Sequence, residues 1–338
     1  MRFDEIRSIL VTGGCGFIGS HFIERIVPKY PNLKIYNLDN MSYASSNFIN
    51  DLMIGNPNYE LIRQDITDPG KVNHLIKSID IDLIIHFAAE SHVDNSITNP
   101  SNFVNTNLMG TFNILNALVA RYGFNSKVIF HHISTDEVYG SLVANEQSFT
   151  EQSNYSPNSP YSASKAGSDL LVRAWHRTFK IPYLITNCSN NFGPRQHSEK
   201  LIPKIIKHAV QKKEIPIYGD GSNIRDWIYV GDHIDALLGL HENNILNDSY
   251  NIGGGVELSN LTITNKIIEI LEKRFNFKDL NKLIKFVEDR KGHDFRYSID
   301  ASKIYNSIKW KASCDLDQDL KNTIQHYLEN NDSLAGKK

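Results

Sequence analysis

Cysteine and long apolar runs are what this sequence has least of. Its three cysteines, Cys15, Cys188 and Cys314, form neither a C-x-x-C pair nor an even disulfide framework. Such spacing is typical of small core residues in a reducing compartment. No run approaches the roughly 18 apolar residues that would span a bilayer. We therefore expect a protein with no membrane partner.

A strong charge of one sign is also missing, because 36 Lys and Arg residues face 38 Asp and Glu residues for a formal net charge of −2. The basic residues are scattered, so we expect no nucleic-acid partner. The first residues, MRFDEIRSILVTGG, place charges before a short strand-like run and lack an apolar region followed by a cleavage site. This pattern favours a cytoplasmic location.

Short β-like runs alternate with longer helical patterns through the first half of the 338 residues. This order predicts an α/β fold of the Rossmann type, in which helices doubly wind a parallel sheet. Apolar residues at three- and four-residue spacing predict helices over Phe103–Arg121 and Ser164–Phe179. The predicted strands are Ser8–Thr12, Lys34–Leu38, Glu60–Gln64, Leu83–Ala88, Val128–Ile133 and Tyr183–Asn187.

The composition changes near residue 188, where shorter elements with more Gly, Pro and charge begin. We predict a Rossmann domain over residues 1–187, a smaller C-terminal α/β lobe over 188–328 and a polar tail over 329–338. A helix within Ile228–Leu240 and a strand within Ser249–Gly254 are expected to rejoin the first domain. Residues from about 225 to 254 would therefore interleave the two parts.

A glycine-rich turn follows the first predicted strand. Residues 13–19 read GGCGFIG, a G-x-x-G-x-x-G spacing between a strand and a helical pattern. Such a turn lets a pyrophosphate approach the free N–H groups of a helix N-terminus. Asp39 is the acidic residue expected about 20 positions later, where it would accept from ribose hydroxyls. NAD is predicted rather than NADP; the alternative is an ordinary turn and an unrelated surface Asp.

Tyr161 and Lys165 lie four residues apart at the start of a predicted helix. This spacing places them on one face, where the ammonium could sit beside the phenol and favour the phenolate. The phenol could then act as a base near neutral pH. The alternative is a pair of solvent-exposed side chains.

Thr135, Asp136 and Glu137 follow the apolar run VIFHHIS at the carboxyl edge of the predicted sheet. Two adjacent carboxylates there are costly unless each has a partner or a task. If both point into one cleft, their environments could separate their pKa values and divide acid from base. The alternative is a solvated acidic turn.

The sequence resembles the extended short-chain dehydrogenase/reductases and, among them, the dTDP-glucose 4,6-dehydratases. The resemblance runs from about residue 10 to residue 300 and is carried by VTGGCGFIGS, HFAAESHVDNSI, HHISTDEVYG, SPYSASKAGSDLLVRA, CSNNFGPRQHSEKLIP, RDWIYVGDH, YNIGG and DRKGHDFRYSID. STDEVYG discriminates most, because 4-epimerases of the same fold typically lack an acid pair there.

The resemblance implies a reaction in three linked steps. Tyr161, helped by Lys165 and Thr135, takes the proton of the sugar 4-hydroxyl while a hydride passes to NAD. Glu137 removes the C5 proton as Asp136 protonates the departing 6-hydroxyl. Return of the hydride to C6, with a proton to C5, gives the 4-keto-6-deoxy sugar, as in rhamnose biosynthesis. Tightly bound NAD, regenerated in each turnover, and a homodimer are likewise implied.

The resemblance also implies two sets of contacts. The cofactor residues are Gly13, Gly16, Phe17, Ile18, Gly19, Asp39, Asn40, Asp65, Ile66, Ala88, Ala89, Ser91, Thr106, Tyr161, Lys165 and Asn191. The substrate residues are His92, Thr135, Asn190, Lys200, Leu201, Pro216, Ile217, Tyr218, Arg225, Asn260, Arg290 and His293. Arg225 and Arg290 suit a diphosphate, because a guanidinium fork matches phosphate oxygens.

Three alternatives stay open: UDP-glucose as the preferred substrate, a nucleotide-sugar 4-epimerase, and a non-catalytic NAD-binding scaffold. Lys291 stands where many family members have Pro, and Phe192 stands where Tyr is common. These two departures from the family pattern leave undecided which nucleotide base the substrate carries, because thymine and uracil differ by only one methyl group. The His and Cys spacing predicts no metal site.

Overall fold

The computed structural model describes residues 3–313 and 315–330. Its strands are β1 (Ser8–Thr12), β2 (Lys34–Asp39), β3 (Tyr59–Arg63), β4 (Leu83–His86), β5 (Ile129–Thr135), β6 (Tyr183–Cys188), β7 (Asn190–Phe192), β8 (Ile215–Tyr218), β9 (Ile224–Tyr229), β10 (Asp248–Ile252), β11 (Glu257–Ser259) and β12 (Ile284–Val287).

The α-helices are α1 (Phe17–Lys29), α2 (Phe48–Leu52), α3 (Pro69–Ser78), α4 (Val93–Thr98), α5 (Pro100–Phe103), α6 (Gly110–Tyr122), α7 (Pro160–Phe179), α8 (Leu201–Val210), α9 (Val230–Glu242), α10 (Asn260–Phe275), α11 (Ser302–Ile308) and α12 (Leu316–Glu329). A π-helical segment covers Val104–Met109, and short 3-10 turns cover Phe3–Glu5, Asp136–Tyr139 and Leu280–Leu283.

A seven-stranded sheet forms the centre of the protein, in the order β10-β6-β5-β4-β1-β2-β3. All of its neighbouring strands pair in parallel. Every residue of β1, β4, β5 and β6 is buried, as expected for a parallel sheet covered on both faces. This order confirms the predicted Rossmann-type sheet.

Two apolar cores cover the two faces of this sheet. Ile9 and Val11 of β1 pack with residues of α1 and α9, whereas Leu10 packs with residues of α3 and α6. Successive side chains of a strand point to opposite faces, so one strand supplies both cores. Each fully buried Ile or Leu contributes about 1.5–3 kcal/mol.

The predicted strands agree with the observed ones to within two residues. β1 has the predicted bounds, and β5 extends two residues past its predicted end to Thr135. The helix and strand expected after residue 225 are α9 and β10; β10 pairs with β6 at the sheet edge, and α9 packs against α1.

The helix predicted over Phe103–Arg121 is a regular α-helix from Gly110 onward, but its first part is not. The chain there runs from α5 through the π-helical segment into α6. Inside that segment, Asn107 exchanges hydrogen bonds with the backbone of Glu90 and donates to Ser164 Oγ at 2.8 Å. A π-helical turn often lies at a functional site, and this one carries Thr106. Apolar periodicity does not report such a change of winding.

Two small sheets and the helices α8, α10 and α12 form a second lobe. β11, β9 and β7 make one sheet, and β12 pairs with β8 in the other. Apolar residues of α8, α10 and α12 form one buried core with them. Glu329, the first residue of the predicted tail, ends α12. Residues 331–338 and Cys314 lie outside the described residues, whereas Cys15 and Cys188 are free and buried.

Candidate active site

A cavity of about 290 Å³ lies at the carboxyl edge of the large sheet. Its walls come from the segments that follow β1 to β6, which is where open parallel sheets place their ligands. Every predicted cofactor residue lines it. The acid pair, Tyr161, Lys165, Asn190 and Lys200 also line it.

The glycine turn lets the chain approach the cavity closely. Gly13 has φ 71°, and a Cβ there would lie 2.7 Å from the backbone nitrogen of Ala88. A Cβ at Gly19 would lie 2.4 Å from the Gly13 carbonyl oxygen. No side chain caps the N-terminus of α1, so its first N–H groups can bind an anion such as pyrophosphate.

Asp39 is 5% exposed at the end of β2. Its carboxylate accepts from the backbone N–H groups of Cys15 at 2.9 Å and Met41 at 2.8 Å. It also accepts from Ser45 Oγ at 2.8 Å. The side chain thus shapes both loops at this end of the cavity, with its remaining lone pairs able to meet ribose hydroxyls.

Three buried polar atoms of cavity-lining residues have no hydrogen-bond partner. They are Gln64 Oε1, Asp136 Oδ2 and Asn190 Oδ1, in addition to His197 Nδ1, which lies 2.8 Å from Glu199 Oε1 and so has an ionic neighbour. Buried polar atoms are nearly always paired. These atoms, together with the glycine turn and Asp39, fit a polar dinucleotide and a sugar as the missing partners.

Asp136 and Glu137 begin a 3-10 turn directly after β5. Thr135 caps it: its Oγ1 accepts from the Glu137 N–H at 3.3 Å and donates to Asp136 Oδ1 at 3.2 Å. Asp136 is 2% exposed. The turn therefore holds both acids in the cavity wall, and neither belongs to a solvated surface turn.

The surroundings of the two acids differ. Burial raises the pKa of Asp136 well above its usual value, and the charges of Glu137 and Asp226 act in the same direction. Burial also raises the pKa of Glu137, but the nearby cations Lys200 and Arg225 oppose that rise. Asp136 is thus the better proton donor, and Glu137 is the acid more easily ionised.

Helix α7 carries Tyr161 and Lys165. It begins at Pro160 because Ser159 and Ser162 form a reciprocal capping box and proline suits the first helical position. Tyr161 is 8% exposed and Lys165 is 3% exposed. Lys165 Nζ donates to the Ile133 carbonyl oxygen at 2.7 Å. Both side chains are buried, so they are not a surface pair.

The surroundings of the Tyr161 phenol act against its ionisation. Burial raises the pKa of Tyr161 well above its usual value, the Glu137 charge adds to the rise, and a hydrogen bond with Thr135 opposes it. Desolvation therefore acts against the effect expected of a nearby Lys165 cation, which stays a prediction. A base role for Tyr161 requires its pKa to fall when ligands fill the cavity.

Most of the predicted substrate residues do not line this cavity. Thr135, Asn190 and Lys200 do, whereas the others lie in the second part of the chain or at its border with the first. These others are His92, Leu201, Pro216, Ile217, Tyr218, Arg225, Asn260, Arg290 and His293. Ile217 belongs to the apolar core around α8 and α10.

The two arginines expected to bind a diphosphate already have partners. Arg290 Nε donates to Asp94 Oδ1 at 2.6 Å, and Tyr218 donates to Oδ2 of the same carboxylate at 3.2 Å. Arg225 is 6% exposed, donates to the carbonyl oxygens of Ile224, Asp294 and Phe295, and stacks over Tyr297 at 4.2 Å. A diphosphate would have to compete for these donors.

Several cavity residues were not predicted. Ser45 bonds Asp39, and Gln64 follows β3 at the same sheet edge as Asp65. Gln196 and His197 reach the cavity from the segment before α8. Position after a parallel strand could have indicated Gln64. No local pattern marks the other three, because the folding of distant segments brings them there.

Residues 3–313 and 315–330 contain no group of three or more His, Cys, Asp or Glu side chains arranged to hold a metal ion. None of the helices in this same part of the chain has both the length and the apolarity needed to cross a membrane.

Comparison with known proteins gives concordant matches. A family model described as GDP-mannose 4,6 dehydratase matches residues 10–323. A dTDP-glucose 4,6-dehydratase from Haemophilus influenzae is 44% identical, covering 96% of this chain and 99% of the relative. A crystal structure of a dTDP-glucose 4,6-dehydratase from Streptomyces venezuelae, with NAD bound, has a TM-score of 0.87 at 39% identity and covers 96% of this chain and 98% of its own.

A second crystal structure, of a dTDP-glucose 4,6-dehydratase from Bacillus anthracis in complex with NAD, has a TM-score of 0.85 at 38% identity, with 96% of this chain and 98% of that chain covered. The parallel sheet, the glycine turn and the Tyr161–Lys165 pair define an extended short-chain dehydrogenase/reductase. Within that class, the chain belongs to the dTDP-glucose 4,6-dehydratase family.

Proposed function

We propose that this chain is an NAD-dependent hydro-lyase that converts dTDP-glucose to dTDP-4-keto-6-deoxyglucose and water. The observation that carries the proposal is the convergence of Asp136 and Glu137 with Tyr161 and Lys165 on one cavity. A simple oxidoreductase needs the tyrosine and the lysine. An elimination also needs an acid and a base beside them.

NAD would occupy the end of the cavity formed by the glycine turn and Asp39. When bound, it supplies a hydride acceptor at the start of the cycle and a hydride donor at its end. The N–H groups at the start of α1 would bind its pyrophosphate, and Asp39 would accept from its ribose hydroxyls. An Asp at this place disfavours a 2′-phosphate by charge repulsion.

In the first step, Tyr161 takes the proton of the sugar 4-hydroxyl as the C4 hydrogen leaves as hydride. The Thr135 hydroxyl, which donates to Asp136 Oδ1 at 3.2 Å in the protein alone, would turn and donate to the phenolate, and the Lys165 ammonium would stabilise the same negative charge. The resulting ketone at C4 makes the C5 proton acidic.

In the second step, Glu137 removes the C5 proton and Asp136 protonates the 6-hydroxyl, which departs as water. The difference in surroundings supports this division: Asp136 faces Glu137 and Asp226, whereas Glu137 faces Lys200 and Arg225. Two carboxyl groups can divide acid and base work when their environments separate their pKa values in this way.

The second lobe, residues 188–328, would bind the nucleotide diphosphate, while residues 1–187 with the returning α9 and β10 hold the cofactor. Arg290 suits this role because it already bridges the two parts through Asp94 at 2.6 Å. Its terminal N–H groups could then meet phosphate oxygens.

The direct test incubates the purified protein separately with dTDP-glucose and UDP-glucose, without added NAD. We expect a 4-keto product, visible by its alkaline absorbance, and tightly held NAD in the protein as purified. Mass spectrometry should detect the loss of one water. No product from either sugar, even with NAD supplied, would reject the proposal.

The same assay separates the remaining alternatives. Faster turnover of UDP-glucose would show that the preferred nucleotide carries uracil and not thymine. A galactose epimer formed without loss of water would indicate a 4-epimerase. Bound NAD without any reaction would indicate a scaffold. Competition between the two sugar nucleotides measures the preference, because one methyl group contributes only about 1–3 kcal/mol.

We propose a homodimer formed by α7 and the α5–α6 segment. Val104, Met109 and Leu170 are 43%, 43% and 59% exposed on these adjacent helices, and exposed apolar groups on neighbouring helices are typical of an interface. Leu170→Glu should shift the mass measured by light scattering from dimer to monomer. The control Ile54→Glu, at a site 81% exposed on another surface, should stay dimeric; a dimeric Leu170→Glu protein would contradict this interface.

A cytoplasmic location and a role in deoxysugar synthesis, such as that of rhamnose, complete the proposal. Cys15 and Cys188 are buried as free thiols, which suits a reducing compartment. A 4-keto-6-deoxy sugar is a reactive ketone that later enzymes can epimerise or reduce.

A further inference from the structure

Helix α7 carries a third polar side chain one turn beyond Lys165. Tyr161, Lys165 and Asp169 recur every four residues, so they lie along one helix face. Asp169 is fully buried, at 0% exposed. Two opposite charges are therefore stacked behind the cavity, out of contact with water.

His132 of β5 lies between these charges. Its Nε2 is 3.4 Å from Lys165 Nζ and 3.3 Å from Asp169 Oδ1, and the ring is fully buried. Buried charges are costly unless they are paired and hydrogen-bonded. This ring gives the ammonium and the carboxylate a common polar neighbour.

The other oxygen of the Asp169 carboxylate has three donors. Oδ2 accepts from Ser134 Oγ at 3.0 Å, Tyr155 OH at 2.8 Å and Asn187 Nδ2 at 3.2 Å. Burial acts to raise the pKa of Asp169, but His132, Lys165 and Ser134 bring it below its usual value. The carboxylate therefore stays ionised although it is buried.

The ammonium of Lys165 depends on this carboxylate. Burial lowers the pKa of Lys165 to about 8, and Asp169 opposes that shift most strongly, followed by Cys188. Burial lowers the pKa of His132 to about 4 and that of His86 far below its usual value. Both rings are thus neutral near pH 7.

Other titratable groups face the pair from elsewhere. Tyr161 precedes Lys165 on α7, and Arg173, Tyr139 and Tyr155 face Asp169. Burial raises the pKa of Tyr139 and Tyr155 above the usual range, so both stay neutral. Arg173 is a cation and partly balances the carboxylate.

We propose that Asp169, acting with His132, is a positioning residue for the reaction: its buried carboxylate, one helical turn behind Lys165, keeps that side chain charged at the wall of the cavity. The proposal rests on the roles proposed above for Tyr161 and Lys165. Without the carboxylate, the buried ammonium loses its proton at lower pH. The phenol of Tyr161 then lacks the cation that favours its ionised form.

The first test follows Lys165 itself and needs no turnover. The protein is produced with lysine that carries carbon-13 at its ε-carbon and is studied by NMR as purified. The signal of Lys165 is the one that is missing from the spectrum of Lys165→Met. In Asp169→Asn the midpoint of its titration should fall by about one pH unit. An unchanged midpoint would overturn the proposal, whatever the activity.

The second test measures the rate of transient NADH formation against pH in rapid-mixing experiments with dTDP-glucose. In Asp169→Asn the pH at which the rate falls on the alkaline side should decrease by about one unit. Above that pH the rate should be about tenfold lower than in the wild type, and at lower pH it should recover. A loss that is the same at every pH would indicate a merely structural role and overturn the proposal. The control Tyr155→Phe removes a donor to Asp169 but no charge, and the pH at which its rate falls should not change.

A second pair of variants covers the case in which Asp169→Asn does not fold. His132→Leu removes the polar ring beside Lys165 Nζ and should lower the Lys165 midpoint, whereas His132→Asn keeps a polar side chain at that position and should lower the midpoint less. Equal midpoints in these two variants would count against the proposal. A normal Lys165 titration response in a protein that forms no keto sugar would instead reject the proposed function alone.

Discussion

The two sides of the cavity are built in different ways. The cofactor side consists of turns at the ends of a seven-stranded sheet whose central strands are buried throughout. The side facing the second lobe consists of loops and of small sheets with two or three strands. The turns at the ends of the strands are fixed by the apolar core that packs against the sheet. The loops on the other side are surface segments and depend more on hydrogen bonds and ion pairs for their position.

Their polar groups differ accordingly. On the cofactor side, Gln64 Oε1 has no partner and α1 has no side-chain cap. On the other side, Arg290 is bonded to Asp94 and Arg225 to three carbonyl oxygens. The first side is open to its ligand as it stands. The second must exchange internal bonds for ligand bonds, which costs affinity unless the new contacts are stronger.

The largest effect is expected where the two sides meet, at the acid pair. Glu137→Gln should slow loss of water by about 10²–10⁴-fold, the usual contribution of a positioned base, while transient NADH formation survives because Tyr161 can still take the 4-hydroxyl proton as the C4 hydride passes to NAD. Rapid-mixing absorbance and product analysis measure the two steps separately. The exposed Glu146→Gln serves as the control, and unchanged turnover in Glu137→Gln would mean that another group is the base.

Gly13→Ala probes the rigid side. Its φ of 71° and the 2.7 Å approach of a Cβ to the Ala88 nitrogen should cost about 2 kcal/mol or more, and NAD content should fall. Denaturant unfolding and release of nucleotide report both effects. Gly55→Ala is the matched control, with φ 79° and no atom within 4 Å; equal losses in the two variants would show that the close approach is unimportant.

Arg290→Lys probes the adaptable side. Lysine cannot keep the bond from Nε to Asp94 and also offer a fork to phosphate, so KM for dTDP-glucose should rise about tenfold, or about 1.4 kcal/mol, with little change in kcat. Steady-state kinetics distinguish these parameters. The exposed neighbour Lys291→Arg is the control. A fall in kcat at constant KM would contradict a binding role.

The smallest expected effect is on the pH dependence of the free energy of unfolding, through a buried histidine of α9 that bonds a strand of the large sheet. Burial lowers the pKa of His241 to about 4, below the unfolded value of about 6.5. Between these pH values the unfolded chain binds the proton more readily, so stability falls as the pH drops below about 6.5, and the fall ends near pH 4. Between pH 7 and pH 5.5 the free energy of unfolding of His241→Gln should therefore decrease by about 1 kcal/mol less than that of the wild type.

Urea unfolding at several pH values measures this difference. His241 bonds the equally buried His131 at 2.8 Å, so the variant is compared with itself across pH rather than with the wild type at one pH. The exposed His74→Gln should keep the full wild-type pH dependence. Parallel curves for all three proteins would exclude His241 as a source of acid sensitivity.

Much of the site could be predicted because it is local in sequence. The glycine turn lies between a strand and a helix, and the acids at 136 and 137 directly follow a strand, so their place at the sheet edge follows from the alternation of elements. The π-helical segment at Val104–Met109 and the partners of Arg225 could not be predicted. They depend on contacts with residues that are distant in the sequence.

The sequence by itself determined the parallel sheet, the dinucleotide turn and the family, because each is encoded by periodicity or by a contiguous motif. Only the tertiary structure decided how the charges behave. It raises the pKa of Tyr161 by burial, and it places the charges of Glu137 and Asp226 near Asp136 and those of Lys200 and Arg225 near Glu137. It also places the Asp169 carboxylate behind Lys165. Proton affinity depends on burial and on neighbours across the fold, and neither is written in the local order of residues.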